Sequence, residues 1–234
     1  SLETPRQEIL PMSNTTLLLP RFLVAILLIA ATPGVSRVDA ADSLVLNPSD
    51  HIAIIGNNLA DRMQHHGWLE TYLQAEFPQH RLTIRNLGFT GDEVKTRPRS
   101  ANFGNPDQWL AKVKADVVFC FFGYNEALRG PDGLPAFRKD LADMLTGMKG
   151  QKYNGKSAPR IVVFSPIGHE NLNSPHLPDG TKNNRNLALY TQAMQQVCTT
   201  QKIQFVDLFA PSRQLYAENA TPRTLNGIHL LDHG

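Results

Sequence analysis

Only 2 cysteines occur in the 234 residues, far apart at Cys120 and Cys198, so at most one disulfide is available and a disulfide framework is excluded. Neither stands with histidine at a metal-ligand spacing, and adjacent residues such as His65-His66 point in different directions on a helix and chelate poorly. No metal or cofactor is implied. Cys120, inside the apolar run Val117 to Phe122, and Cys198, in a helix-like segment, read as small buried residues. An excess of one charge is missing too: 23 Lys and Arg against 21 Asp and Glu leave a formal net charge of +2. Aromatics make up 8% and are not interleaved with basic residues, so nucleic acid drops out as a partner class. The run Phe22 to Ala31 has ten residues, half of the roughly 20 that a membrane span requires.

That run has another meaning. Arg21 precedes it, Pro33-Gly34 breaks it, and Val38-Asp39-Ala40 supplies small residues of the kind found at a secretory cleavage site. Residues 1–40 are therefore expected to be a signal peptide with upstream residues before Met12, and the mature chain to start near Ala41. Export to the periplasm or the outside follows, with no membrane span after removal of the leader. With 41% hydrophobic and 19% charged residues, the full sequence has the composition of a globular protein, and the stretch from 41 to 234 is long enough for one well-buried domain.

From residue 51 short apolar runs alternate with helical periodicity. Ile52 to Ile55 reads as a strand, and Leu59, Met63, Leu69, Tyr72, Leu73 and Phe77 recur as one helical face closed by Pro78. Leu82-Thr83-Ile84 is a second strand, and a polar stretch then leads to a helix near Pro106-Asp107. Val117 to Phe122 is apolar on both faces, as the centre of a parallel sheet requires. A helix over Leu134 to Met148, a strand over Ile161 to Phe164, a helix from Asn183 and a strand over Ile203 to Val206 complete the series. The expected fold is α/β: a flavodoxin-like, three-layer arrangement with an open parallel sheet of about five strands.

Ligands of such sheets bind at the carboxyl ends of the strands, which fixes the loops of interest. They are Gly56-Asn57-Asn58, Asn86 to Asp92, Gly123-Tyr124-Asn125-Glu126, Ser165 to Glu170, and Asn226-Gly227-Ile228-His229-Leu230. Neutral donors such as a glycine N–H or an asparagine NH₂ can stabilise an oxyanion without titrating, and an imidazole can move a proton near neutral pH.

Four of the five loops, in this order, resemble the blocks of the SGNH (GDSL) hydrolase superfamily of esterases, lipases and carbohydrate deacetylases. The resemblance covers the chain from about residue 50 to its end, and it implies a small-molecule ligand such as an ester or a carbohydrate. Asn86 to Asp92 resembles the second block, in which Gly88 would offer an oxyanion N–H. Asn125 in the third block would be the side-chain oxyanion donor, and His229 in the fifth the general base. The family also implies a helix beyond the fifth block. Only Leu230 to Gly234 follow His229, so the terminal helix is expected to be missing and the domain truncated.

Two departures matter. The first block of the family reads Gly-Asp-Ser-Leu, and here Gly56-Asn57-Asn58-Leu59 puts a carboxamide at the nucleophile position. The triad acid, three positions before the histidine, is replaced by Asn226. An amide nitrogen is a very poor nucleophile, and an amide cannot stabilise an imidazolium by charge. In a serine protease the comparable acid-to-amide change costs about 10⁴ in turnover. Thr90 and Ser165 read as loop or capping hydroxyls rather than substitutes. His169-Glu170, Glu126 and Asn57 are candidate ligand-binding residues, and Lys95, Arg97 and Arg99 read as a solvated basic loop. Three functions stay open at this point: a retired esterase that keeps its cleft for binding, a hydrolase using water activated by His229 or His169, and a non-catalytic recognition module of a larger exported protein.

Overall fold

The apolar run ending at Gly56 forms a strand that has to stop abruptly. β1 spans His51–Gly56 and is buried from its second residue onward. Gly56 has φ +144°, and a Cβ there would lie 2.1 Å from the Phe121 carbonyl oxygen, so only glycine fits this junction. α1 (Asn58–Arg62) begins immediately beyond it. The computed structural model describes residues 44–218 and 221–234, and the expected leader, residues 1–40, lies outside the described residues.

The single helix predicted from Leu59 to Phe77 is two helices. α1 closes in tight turns, with Gln64 N–H donating to Asp61 O at 3.2 Å and His65 N–H to Arg62 O at 3.0 Å. Gly67 then caps the start of α2 (Trp68–Glu76). The break falls at His65-His66-Gly67, where a glycine of low helix propensity follows two weak helix formers. The apolar spacing alone hid this, because Leu59 and Met63 on one side of the break and Leu69, Leu73 and Phe77 on the other pack against the same sheet face, whereas Tyr72, expected on that face, is 68% exposed.

β2 (Thr83–Asn86) follows. α3 (Pro106–Lys112) starts where Pro106 led us to expect: proline fills the first helical position, and Asn105 and Gln108 form a reciprocal capping box. β3 (Val117–Phe121) is buried along its whole length. Next come a short α4 (Tyr124–Ala127), α5 (Leu134–Lys149), β4 (Arg160–Phe164), α6 (Thr181–Gln201) and β5 (Gln204–Val206). α7 (Phe209–Glu218) was not anticipated. Its start is fixed by Asp207, whose Oδ1 accepts the Phe209 N–H at 2.8 Å.

The five strands are all parallel, in the order β2-β1-β3-β4-β5. Side chains alternate cleanly: Ala53, Ile55, Val118, Cys120, Ile161 and Val163 point to one core, and Ile52, Ile54, Val117, Phe119, Phe121 and Val162 to the other. α3, α5 and α6 cover the first face through residues such as Leu110, Leu141, Leu145 and Leu187. Each large aliphatic of this kind contributes roughly 1.5–3 kcal/mol by its burial. α1 and α2 cover the second face through Leu59, Met63, Leu69 and Leu73. An apolar cavity of about 250 Å³ remains there, between Phe121, Phe164, Leu208, Leu230 and Leu231. Both cysteines are free and buried, and burial pushes their thiols up, that of Cys198 to about 12.

The strand order reverses between β1 and β3. Their carboxyl ends stand side by side, with Gly56 opposite Phe121, so the turn Asn57-Asn58 sits at the switch point where open α/β sheets place their ligands.

Candidate active site

The first turn is held from both sides. Asn57 N–H donates to Phe121 O at 2.9 Å, and Phe89 N–H donates to Gly56 O at 3.0 Å. Asn57 and Asn58 are buried, and two of their polar atoms, Asn57 Nδ2 and Asn58 Oδ1, have no hydrogen-bond partner among the described residues. Buried amide atoms left unpaired cost free energy.

The second loop is tied down by a residue the sequence reading did not select. Asn86 donates through Nδ2 to Ala60 O at 2.6 Å, while its Oδ1 accepts the Gly88 N–H at 2.8 Å. The N–H expected to serve an oxyanion is therefore already engaged. The same holds for Asn125: its Nδ2 donates to Thr90 O at 2.9 Å and Asp92 O at 3.0 Å, which uses both of its N–H groups. The signal for Asn86 was its place at the end of β2, two residues before Gly88, a spacing at which an asparagine side chain reaches a backbone N–H.

The fifth loop holds the histidine. His229 Nδ1 lies 2.8 Å from Asn226 Oδ1, which also accepts the backbone N–H of His229 at 3.1 Å. Because a carboxamide oxygen only accepts, Nδ1 carries the proton and Nε2 keeps its lone pair. Burial lowers the pKa of His229, and Arg62 adds a repulsive contribution of the same sign. Arg62 stands four residues beyond Asn58 on α1 and reaches Leu230 O at 3.5 Å, so α1 brings its cationic side chain against the histidine segment. Helical spacing from Asn58 would have pointed to Arg62.

His169 and Glu170 border a cavity of about 540 Å³ together with Asp179, Arg185 and Arg213, but little of either side chain is open to it. Both are buried, at 3% and 5% exposure. The Glu170 carboxylate accepts from Thr224 N–H at 2.7 Å, Thr224 Oγ1 at 2.6 Å and Arg223 N–H at 3.0 Å, and Glu170 N–H donates to Gly227 O at 2.9 Å. The residue is a clamp on the loop that carries Asn226 and His229. His169 packs against the same loop: Gly227 has φ +88°, and a Cβ there would sit 2.4 Å from His169 Nε2. Its Nδ1 pairs with Asn183 at 3.0 Å, and burial lowers its pKa.

Glu126 likewise faces inward. Its carboxylate accepts Val94 N–H at 2.8 Å and Gly123 N–H at 2.9 Å, joining the second and third loops, and burial raises its pKa. The basic loop is not simply solvated. Arg99 makes two bonds to buried Asp92, at 2.6 and 3.0 Å, and Arg97 lies over the Phe122 ring with its side chain 14% exposed. Only Lys95 matches the solvated reading, 3.4 Å from Asp140 with 76% of its side chain exposed.

The two spare hydroxyls are engaged. Thr90 Oγ1 donates to Asp61. Ser165 is fully buried, and its Oγ accepts Leu208 N–H at 2.8 Å and Phe209 N–H at 3.0 Å ahead of α7.

The sequence model of the GDSL-like lipase/acylhydrolase family matches residues 42–234. No curated protein matches the chain. Among solved structures, a catalytic mutant of an acetylxylan esterase from Geobacillus stearothermophilus superposes with a TM-score of 0.60 at 15% identity, over 80% of this chain and 89% of that one. A gut microbial diltiazem-metabolizing enzyme gives a TM-score of 0.59 at 16% identity, over 80% of this chain and 44% of that one. An alpha/beta hydrolase enzyme from the metagenome of Lake Arreo, Spain, gives 0.55 at 17% identity, over 79% and 89% of the two chains. At these identities the likeness is one of fold.

Proposed function

Given that the chain belongs to the GDSL-like lipase/acylhydrolase family, we propose that it is an exported, esterase-derived domain that has lost serine chemistry and retains the cleft for binding a small polar or acylated ligand. One observation carries this reading: an amide occupies both the nucleophile position, at Asn58, and the triad-acid position, at Asn226, where its Oδ1 lies 2.8 Å from His229 Nδ1. The nucleophile has no hydroxyl to deprotonate, and the histidine has no carboxylate to stabilise its charged form. The engaged state of Gly88 N–H and Asn125 NH₂ points the same way, because neither donor stands open to a developing oxyanion. The leader-like segment Arg21 to Ala40 supports export.

One feature favours a second reading. With Nδ1–H fixed on Asn226 and its pKa lowered, His229 is neutral near pH 7 and offers Nε2 as a base for water. Assays of wild type, Asn58→Ser and His229→Ala on short-chain aryl esters and acetylated sugars separate the two. Silence in wild type is the expected result, and activity emerging in Asn58→Ser would support it further. Wild-type hydrolysis that disappears in His229→Ala would establish the water mechanism instead.

A further inference from the structure

The apolar cavity of about 250 Å³ on the second sheet face adjoins the candidate site without belonging to it. Leu59, which follows Asn58, and Leu230, which follows His229, form part of its wall, whereas Asn58, Gly88, Asn125 and His229 do not. Met63, Leu69, Phe164 and Leu208 add further apolar lining, and Trp68, 54% exposed, borders it at the surface. An engineered apolar cavity of about 150 Å³ holds benzene, so this one has room for an aliphatic chain of about eight carbons.

Arg62 also lines the cavity, and no acid does. Arg62 forms no ion pair among the described residues. Its Nη2 reaches Leu230 O only at 3.5 Å, the outer limit of a hydrogen bond, while its Nη1 makes no hydrogen bond and is not buried. The acids next to this wall in the chain are committed elsewhere. Asp61 accepts from Gln64 Nε2 at 2.8 Å and from Thr90 Oγ1, and Asp232 pairs with His233 at 2.9 Å. An open guanidinium at the edge of an apolar cavity is complemented by an anion whose body is apolar, because the carboxylate takes the charge-assisted bonds and the body leaves water.

We propose that this cavity is a binding site for a free aliphatic carboxylate, with the carboxylate on Arg62 and the chain among Leu59, Met63, Leu69, Leu208 and Leu230. The inference goes beyond the proposed function. Its ligand is an acid rather than an ester, and its binding needs neither a nucleophile nor an oxyanion hole.

Sodium octanoate is the probe, with octanamide as its uncharged counterpart and sodium butyrate as its short one, each titrated calorimetrically into the full chain. Octanoate is expected to bind about ten-fold or more tightly than either. Arg62→Met, which keeps an apolar stem on the wall, is expected to reduce the preference over octanamide to about two-fold or less. Leu231→Trp, on a half-buried side chain of the lining, is expected to fill the cavity and weaken octanoate about five-fold or more. No octanoate binding, equal affinity for octanamide or butyrate, an unchanged preference in Arg62→Met, or an unchanged affinity in Leu231→Trp would each overturn the proposal. A dimer in sedimentation that excludes octanoate would assign the cavity to a second copy and overturn it too. Should Arg62→Met fail to fold, the octanamide and butyrate comparisons and Leu231→Trp decide alone. No turnover is read, so wild-type ester hydrolysis would defeat the proposed function and leave this result standing, and absence of octanoate binding would defeat this inference alone.

Discussion

Asn226 Oδ1 accepts the Nδ1 proton of His229 at 2.8 Å, and this amide fixes the orientation of the imidazole but, being uncharged, does not stabilise its protonated form. Replacing it by a carboxylate adds a negative charge at hydrogen-bond distance. Asn226→Asp is therefore expected to raise the titration midpoint of His229 by about one pH unit or more, read from its ring proton resonances in NMR. An unchanged midpoint would mean that the two side chains do not meet in solution.

Acid sensitivity follows from the two depressed histidines. His169 and His229 both have folded pKa values lowered, chiefly by burial, below the ordinary value of 6.5. As pH falls, the unfolded chain takes up these protons first, so the stability is fully present above about pH 6.5 and declines as pH falls from there toward the folded pKa values. Thermal midpoints measured from pH 8 to pH 5 should fall on the acid side, and His169→Asn should make that fall shallower.

Glu170 is expected to be a stability residue. Glu170→Gln removes the charge that accepts from Thr224 and Arg223 in a buried site, at a cost of about 1–3 kcal/mol in urea unfolding. Amide exchange should accelerate most over residues 223–230, because those N–H groups lose their anchor. Faster exchange in α5 instead would place the damage elsewhere.

Ser165→Ala separates a cap from a nucleophile. Losing the hydroxyl leaves Leu208 and Phe209 N–H short of an acceptor, again about 1–3 kcal/mol. The His229 titration should not move. A shifted His229 titration with unchanged stability would contradict the capping role.

The frame of the molecule was legible because its signals are local. Val117 to Phe121 is apolar on every residue, so a central parallel strand was readable without its neighbours, and Pro106 announced the start of α3. The break between α1 and α2 was not legible, because Leu59, Met63, Leu69 and Leu73 keep facing one core across it. Site partners were the hardest to read. Glu170 meets residues 53 and 54 positions away, and Arg97 differs from Lys95 in the Phe122 ring under it and in its pairing with buried Asp92. Composition showed a loop with three basic residues and gave no means to tell that Arg97 and Arg99 pack inward while Lys95 stays in water.

The loss of serine chemistry is tested most directly by the steady-state hydrolysis of an aryl acetate by wild type and His229→Ala, each against a buffer blank. The expected result is that both traces coincide with the blank. Wild-type turnover above the blank that His229→Ala removes would contradict it.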